Sequence, residues 1–443
     1  MDELSAAVVA GAAPDQLAAL PVPATYVAAH TRVEDVGMFN GTADKDVRKS
    51  LRVGPVDMPR IAPDEVLVAV MASCVNYNTV WSATFEPLPT FDFLRNLAKQ
   101  GGWERRHDQP FHALGSDGAG VIVRVGEAVR RWKVGDRVVL SPVQADDQEP
   151  ATHADGMLGV EQRAWGYETN FGGLAHYAVV RATQLIPKPT HLTWEEAASI
   201  PACAGTAYRM LISDRGARMK QGDVVLIWGA TGGLGVHAVQ LVRSGGGIAV
   251  GVVGSEEKAE VLRRLGCDVV INRNELGIGR DLDDPATVVQ AGKRLGAIIR
   301  RETGEDPHIV FEYVGRATFG ISMFVTRRGG TVVTCGSSSG YRHQYDNRYL
   351  WMKLKRIVGS HGANIQEMWE TNRLVNLGRI KPVLSALHPL TEVAEATRTV
   401  QTNSHFGKVG VLCLAPEAGL GITDPALRDE LGTGRANPFG AGI

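Results

Sequence analysis

Residues 222–266 read GDVVLIWGATGGLGVHAVQLVRSGGGIAVGVVGSEEKAEVLRRLG. Val224 to Trp228 form an unbroken apolar run closed by glycine, the pattern of a strand buried on both faces. The turn Gly229-Ala230-Thr231-Gly232-Gly233-Leu234-Gly235 follows, then a helical repeat over 233–243, then a second apolar strand, IAVGVV. A glycine-rich turn between a strand and a helix lets the backbone approach a pyrophosphate, and the helix N-terminus stabilises its charge. Alone such a turn is a weak signal; in this strand–turn–helix–strand context it predicts a bound dinucleotide. Where NAD sites place an acid after the second strand, this chain has Gly254-Ser255 with Lys258 close behind. Glu256 and Glu257 fall on the next helical turn, which aims them elsewhere. A hydroxyl and an ammonium suit a 2′-phosphate, so the expected cofactor is NADPH, with Arg273, after the third strand, as a second cation.

Outward from this block, apolar strands alternate with helices from about residue 190 to 360, the signature of a parallel sheet with crossover helices. The alternation opens at TWEEAASIPACAGTAYRMLI, where Thr193 and Glu196 make a capping box. One long insertion, NRNELGIGRDLDDPATVVQAGKRLGAIIRRETGEDPH (272–308), interrupts it and reads as a helix carrying either a contact or a solvated face. Upstream the rhythm differs. DEVLVAVMASCVNYN (64–78) and GSDGAGVIVRVGEAVRRWKVGDRVVLSP (115–142) are rich in valine and punctuated by glycine, as in a small twisted sheet or barrel. Residues 1–60 read as one or two Ala-rich helices and short strands, and PVQADDQEPATHADGML as an exposed polar loop. The Gly- and Pro-rich tail beyond 415 must wrap its domain or fray. The expected fold is α/β: a doubly wound parallel sheet from about residue 190 to 360, preceded by a mainly β region.

Acids and bases nearly cancel, 48 against 47, giving a net charge of −1 over 443 residues. That lacks the basic excess of a nucleic-acid binder. No window reaches the length of a membrane span, and the Met-Asp-Glu start with prolines at 14, 21 and 23 does not read as a signal peptide. Cys74, Cys203, Cys267, Cys335 and Cys413 are scattered, with no CxxC or HxxxH pairing. This pattern predicts no zinc cluster and a reducing, cytoplasmic setting.

KVGDRV, GTAYRML, GATGGLGVHAVQLV and GSEEKAEVLRRLGCDVVI together resemble the medium-chain dehydrogenase/reductase superfamily, in that family's order and across most of the chain. The resemblance implies a mainly β GroES-like catalytic domain assembled from 1–190 and 361–443 and an NADPH-binding Rossmann domain over 191–360, in a homodimer or homotetramer. Zinc-using members carry Cys and His-Glu ligands in the first domain. Here Cys74 is followed by VNYN, and GSDGAG stands where the His-Glu pair would be, so no catalytic metal is implied. A narrower resemblance is to the crotonyl-CoA carboxylase/reductase family, carried by VNYNTVW, WGYETNFGG, PACAGTAYRML, RYLWMKLKRIVGSH and the insertion before residue 308. It implies hydride transfer from NADPH to the β-carbon of an α,β-unsaturated acyl-CoA, after which the α-carbon attacks CO2 to give an alkylmalonyl-CoA.

Such an α-carbon takes a proton as readily as it takes CO2, so the site must hold CO2 in place and exclude disordered water. Positioning of this kind supplies up to about 7–11 kcal/mol of a barrier. By the resemblance, Asn78 offers its amide to one oxygen of CO2, Glu168 orients an ordered water, and the backbone at Tyr167–Glu168 supplies a further donor. His361 contacts the other side and helps hold Glu168. Read without the resemblance, Asn78 also fits a turn, His361 a core histidine, and Glu168 a strut bonded to nearby backbone. Thr206 in AGTAY is expected at the nicotinamide end, with the backbone of Cys335 and Gly336. Arg348 and Tyr349 suit the phosphate and adenine of CoA, or a charged helix face. Ala164 and Gly362 occupy positions where short-chain members carry bulky residues. At about 0.8 kcal/mol per buried methylene, that room favours an acyl chain of roughly six to eight carbons. The competing readings are a plain NADPH-dependent enoyl-CoA or quinone reductase, and a non-catalytic crystallin-like or RNA-binding member.

Overall fold

The valine- and alanine-rich strand Glu65–Val75 is buried at all eleven positions, as a strand covered on both faces must be. It pairs antiparallel with Ala119–Val125, Tyr177–Arg181 and Lys408–Leu412. Around it the sheet runs Leu185–Pro187, Arg137–Leu140, Ala119–Val125, Glu65–Val75, Lys408–Leu412, Leu384–Pro389. Val66, Val68 and Val70, alternate residues on one face, pack with Ile122, Leu140, Trp165 and Val180. A smaller sheet joins Arg52–Asp57, Thr25–Arg32 and Phe111–Ala113. The structure is a computed structural model that describes residues 1–276 and 284–433. Its chain forms two compact units: Met1–Ala202 with Asn364–Asn376 and Pro382–Ile443, and Cys203–Ala363 with Leu377–Lys381.

Local chemistry fixes the edges of the first unit. The lead-in helix Glu3–Val9 is tied down by Asp2, which accepts from Ser5 N and from the Tyr177 hydroxyl at 2.8 Å, and Pro14–Ala19 by Arg124, which donates to Leu17 O at 2.9 Å. The stretch expected as a polar loop is closed instead: Val143–Gln144 pairs with Arg163–Ala164, and a short helix, Pro150–Ala154, lies between. Thr193 and Glu196 form the expected reciprocal cap of the helix Trp194–Ala198. The tail wraps, with Leu420 accepting from Trp194 N at 2.9 Å and Arg428 forked onto Glu196 at 2.6 and 2.9 Å.

In the second unit all six strands are parallel, ordered Val269–Asn272, Ile248–Val253, Val224–Ile227, Ile309–Glu312, Thr331–Thr334, Arg356–Gly359. Counted along the chain this is 3-2-1-4-5-6, the doubly wound order, which reverses beside the glycine-rich turn. The insertion supplies a helix, Pro285–Thr303, opened by Asp284 accepting from Ala286 N and Thr287 N. Its apolar face is spent inside the unit: Gly292 lies against Phe324 of the helix Phe319–Val325, where a Cβ would collide with the ring.

Candidate active site

The glycine-rich turn is held from beneath by a residue that sequence reading missed. Phe311 pairs with Ile227 in parallel register, so two residues on, Tyr313 arrives under Gly229. Its hydroxyl donates to Gly229 O at 2.6 Å. A Cβ on Gly229 would lie 2.8 Å from that hydroxyl, and one on Gly232 2.6 Å from it. At Gly235 a Cβ would lie 2.5 Å from Gly229 O, so this glycine lets helix and turn touch. The helix Gly233–Ser244 begins from Gly232 with no side-chain cap, leaving its first N–H groups to an anion. Beside the turn, the buried Glu312 carboxylate accepts from Val314 N, Gly315 N, Thr318 Oγ1 and Ser322 Oγ at 2.7–3.0 Å. Burial nonetheless raises its pKa.

At the end of Ile248–Val253, Ser255 caps the helix Glu256–Arg264 by accepting from Lys258 N at 3.3 Å. The Arg273 guanidinium lies over Gly254, 3.3 Å from where a Cβ would stand. Burial, and then the charge of Arg273, lowers the pKa of Lys258. Two crowded cations at a helix N-terminus fit a dianionic 2′-phosphate. Glu256 faces away, paired with Arg263 at 2.7 Å. Thr206 lies on the helix Pro201–Leu211. Cys335 and Gly336 follow Thr331–Thr334; burial pushes the Cys335 thiol up to about 12, so it acts as an inert neutral group.

In the first unit, segments 113–117 and 164–174 cross backbone to backbone. Gly115 N donates to Gly166 O at 3.2 Å, Gly173 N to Gly115 O at 2.9 Å, and Leu174 N to Leu114 O at 2.9 Å. Gly166, at φ +69°, turns the chain where a side chain would strike Gly115 O. Glu168 sits on this turn, and its Oε2 accepts from Ala164 N at 2.7 Å. The turn is pinned further by two buried side chains. Asn170 accepts from Ala113 N and donates to Phe111 O, both at 2.8 Å. His112 Nε2 meets Thr169 O at 3.1 Å and its Nδ1 meets Thr90 Oγ1 at 2.8 Å. A ring nitrogen facing a carbonyl must carry the proton, so Nε2 is the protonated nitrogen; burial pushes the pKa down to about 3, which keeps the ring neutral.

Asn78, on the helix Tyr77–Thr84, donates from Nδ2 to Ser116 Oγ at 2.8 Å, and Ser116 donates to Trp165 O at 2.6 Å. This relay joins Asn78 to the Glu168 turn. Tyr167 closes it with aromatic contacts to Trp81 and Phe93, ring centroids 6.3 and 5.9 Å away. One expectation fails here. The backbone N–H groups of Tyr167 and Glu168 both donate to Ala164 O, at 3.2 and 2.7 Å, because the tight turn uses them; neither is a spare donor.

The remaining candidates belong to the second unit, except half-buried Ala164 beside Glu168. His361 is exposed, and Gly362 has φ +52°, so its lack of a side chain has a backbone cause as well as any steric one. Exposed Arg348 is held by Asp346 at 2.6 Å, and the Tyr349 ring packs edge-on to Phe324 at 5.1 Å. Both have local partners that a CoA phosphate or adenine would have to displace.

Residues 62–190 match the alcohol dehydrogenase GroES-like domain and residues 233–376 the zinc-binding dehydrogenase domain. The chain is 51% identical over 416 residues to the crotonyl-CoA reductase of Streptomyces collinus, covering 93% of each protein. It is 38% identical to the crotonyl-CoA carboxylase/reductase of Cereibacter sphaeroides, covering 84% of this chain and 86% of that one. The chain belongs to the crotonyl-CoA carboxylase/reductase family. A solved structure of 2-octenoyl-CoA carboxylase reductase CinF, in complex with NADP and 2-octenoyl-CoA, is 65% identical with a TM-score of 0.97, covering 99% of each chain.

As a member of this family the chain departs from the zinc enzymes at the metal position. Asp117 Oδ2 accepts from Asn76 Nδ2 at 2.7 Å and from the Lys408 ammonium at 2.9 Å, and Lys408 also donates to Asn76 Oδ1. The ion pair is buried, at 2% and 0% side-chain exposure. An ammonium thus fills the carboxylate that would face a metal, and among the described residues no group of three or more His, Cys, Asp or Glu gathers. Zinc does not fit these residues.

Proposed function

We propose that this chain catalyses the NADPH-dependent reductive carboxylation of a medium-chain α,β-unsaturated acyl-CoA, such as 2-octenoyl-CoA, to hexylmalonyl-CoA, a product of the polyketide extender-unit type. Support comes from the likeness to the 2-octenoyl-CoA carboxylase reductase and from the site chemistry. NADPH, when bound, supplies the hydride. Ser255, Lys258 and Arg273 hold its 2′-phosphate, and the open first turn of Gly233–Ser244 holds its pyrophosphate. The thioester is reduced at the β-carbon, the α-carbon's electron pair forms the bond to CO2, and the charge ends on the new carboxylate. No proton is needed.

What this chain must supply is a donor for CO2 and a barrier to water. The single observation that carries the reading is the Asn78–Ser116–Trp165 relay, which ties an amide donor to the turn bearing Glu168. Tyr167, Trp81 and Phe93 supply apolar surface beside that turn. Glu168, one oxygen committed to Ala164 N, has Oε1 left to orient a water. For His361 the support is the family resemblance alone.

We further propose a homo-oligomer formed along the outer strand Arg356–Gly359. That edge of the sheet is flanked by Trp351, Met352 and Leu354, 57–65% exposed, a surface that invites strand addition. The chain has five free thiols and no helix of the described residues is long and apolar enough to cross a membrane; we place it in the reducing cytoplasm. The decisive experiment supplies 2-octenoyl-CoA, NADPH and labelled bicarbonate and identifies the product by mass. Hexylmalonyl-CoA carrying label supports the proposal. Saturated octanoyl-CoA alone makes the protein a plain reductase, and failure to bind NADPH makes it a non-catalytic member.

A further inference from the structure

Ser116 stands, with Asp117, where a zinc-using relative would carry its ligands. Its hydroxyl has one hydrogen, committed to Trp165 O at 2.6 Å, and its side chain is 2% exposed beside a tryptophan 1% exposed. The oxygen is therefore left to accept, and it accepts from Asn78 Nδ2 at 2.8 Å. A primary amide keeps its shape when flipped, but the flip exchanges a donor for an acceptor. Turned over, Asn78 would set Oδ1 against the lone pairs of Ser116. The alternative is for Ser116 to swing its hydrogen to Oδ1, which takes from the buried Trp165 carbonyl this donor. The carbonyl sets the hydroxyl, and the hydroxyl sets the amide. The same dipeptide orients the other amide of VNYN: Asn76 donates to Asp117 while its Oδ1 faces the Lys408 ammonium.

We infer that Ser116 is a positioning residue that selects carboxylation over protonation, by fixing Asn78 with its nitrogen toward Ser116 so that the second N–H of Nδ2 is the group presented to CO2. The inference rests on the proposed role of Asn78 as a CO2 donor. An N–H attracts an oxygen of CO2. A carbonyl oxygen repels it and accepts instead from water, the source of the competing proton. The α-carbon's electron pair then has two fates: a carbon–carbon bond to CO2, with the charge passing to the carboxylate, or a bond to hydrogen, with hydroxide left behind. The orientation of Asn78 shifts the balance between them without touching hydride delivery.

The test measures the ratio of hexylmalonyl-CoA to octanoyl-CoA made by the full chain from 2-octenoyl-CoA and NADPH at fixed bicarbonate. Ser116→Ala is expected to lower the ratio about tenfold, a difference of about 1.4 kcal/mol between the two barriers, while NADPH oxidation persists. Ser116→Thr keeps the hydroxyl and is expected to hold the ratio within about twofold of the unaltered protein. In an Asn78→Ala background, Ser116→Ala is expected to change the ratio no further. The ratio is set within each turnover by folded enzyme, so partial misfolding does not imitate the effect. If Ser116→Ala yields no folded protein, Ser116→Cys, with its weak donor and acceptor, must lower the ratio in its place. An unchanged ratio overturns the inference, as does an equal fall with and without Asn78. Saturated product alone from the unaltered protein overturns the carboxylase reading instead, a result distinct from either.

Discussion

Gly232→Ala isolates why the dinucleotide turn needs its glycines. Gly232 has φ −71° and ψ 172°, a conformation open to any residue, so backbone strain is not the obstacle. The obstacle is the Tyr313 hydroxyl, 2.6 Å from the added Cβ, whereas the next atoms, Gly229 O and Tyr313 Cζ, stand at 3.4 and 3.7 Å. Admitting the methyl requires Tyr313 to leave Gly229 O, which unpairs a buried hydroxyl and a carbonyl at a cost of about 1–3 kcal/mol. Tyr313→Phe alone removes the bond for about 0.5–1.5 kcal/mol. In the double variant the methyl enters the space the hydroxyl vacated, so the costs do not add, and a coupling of about 1–2 kcal/mol is expected between the two sites. Alanine is also a poorer helix N-cap than glycine, but that loss appears in both backgrounds and cancels. Gly229→Ala is the control: at φ +57° it retains a backbone penalty of about 1–2 kcal/mol even beside phenylalanine. The assay is urea unfolding of the cofactor-free protein across the four-variant cycle, with NADPH titration in parallel. If Gly232→Ala costs the same beside tyrosine as beside phenylalanine, the packing argument is wrong and the glycine serves the cofactor alone.

Three further outcomes are expected. His112 has a folded-state pKa pushed down to about 3 from 6.5, so its contribution to stability is present above about pH 6.5 and is lost as pH falls toward 3, at about 1.4 kcal/mol per unit. Acid unfolding of His112→Gln should lack that slope; an identical slope would mean the imidazole is already charged in the fold. Lys258→Ala and Arg273→Ala should each raise the KM for NADPH about 10–100-fold, from the loss of charge-assisted bonds of about 1.5–3 kcal/mol, with little effect on NADH. Equal losses for both cofactors would remove the 2′-phosphate from this site. Ala164→Phe should move the preferred acyl chain several carbons shorter in a competition among four-, six- and eight-carbon enoyl-CoAs (about 0.8 kcal/mol per methylene). An unchanged profile means the tail does not run past residue 164. That position gives a cleaner test than Gly362, where φ +52° strains any added side chain.

The second unit was legible from sequence because each of its signals is local. A valine run, a glycine turn, a helical repeat and a further valine run are properties of neighbours in the chain, and so is the capping box at Thr193 and Glu196. The order of the sheet is the doubly wound one that such a strand–turn–helix unit belongs to. The insertion was legible as containing a helix, which the structure bounds at Pro285–Thr303, but not by its partner, since nothing in its own pattern names Phe324. The polar stretch before WGYETNFGG has the composition of a loop, because its pairing, Val143–Gln144 with Arg163–Ala164, is two residues long and leaves no period to detect.

In the site the residue types were legible and their bonds were not, and the difference is one of distance along the chain. An amide at 78 and a carboxylate at 168 announce polar chemistry, but Ser116 and Tyr313 acquire their roles only where two remote segments cross. The spare backbone donor expected at Tyr167–Glu168 failed for a related reason: a turn tight enough to demand glycine at 166 folds both N–H groups back onto Ala164 O. Lys408 shows the same dependence at the metal position. Asp117 alone reads as a remnant of a zinc ligand; with an ammonium delivered from a strand nearly three hundred residues downstream, it becomes half of a buried pair that also fixes Asn76. Removing one member of such a pair is far more damaging than never having had it. A restored His-Glu at 116–117 would keep a carboxylate beside the Lys408 ammonium, so the ammonium and a metal ion would compete for it. Conversion to a zinc enzyme would require position 408 to change in the same step.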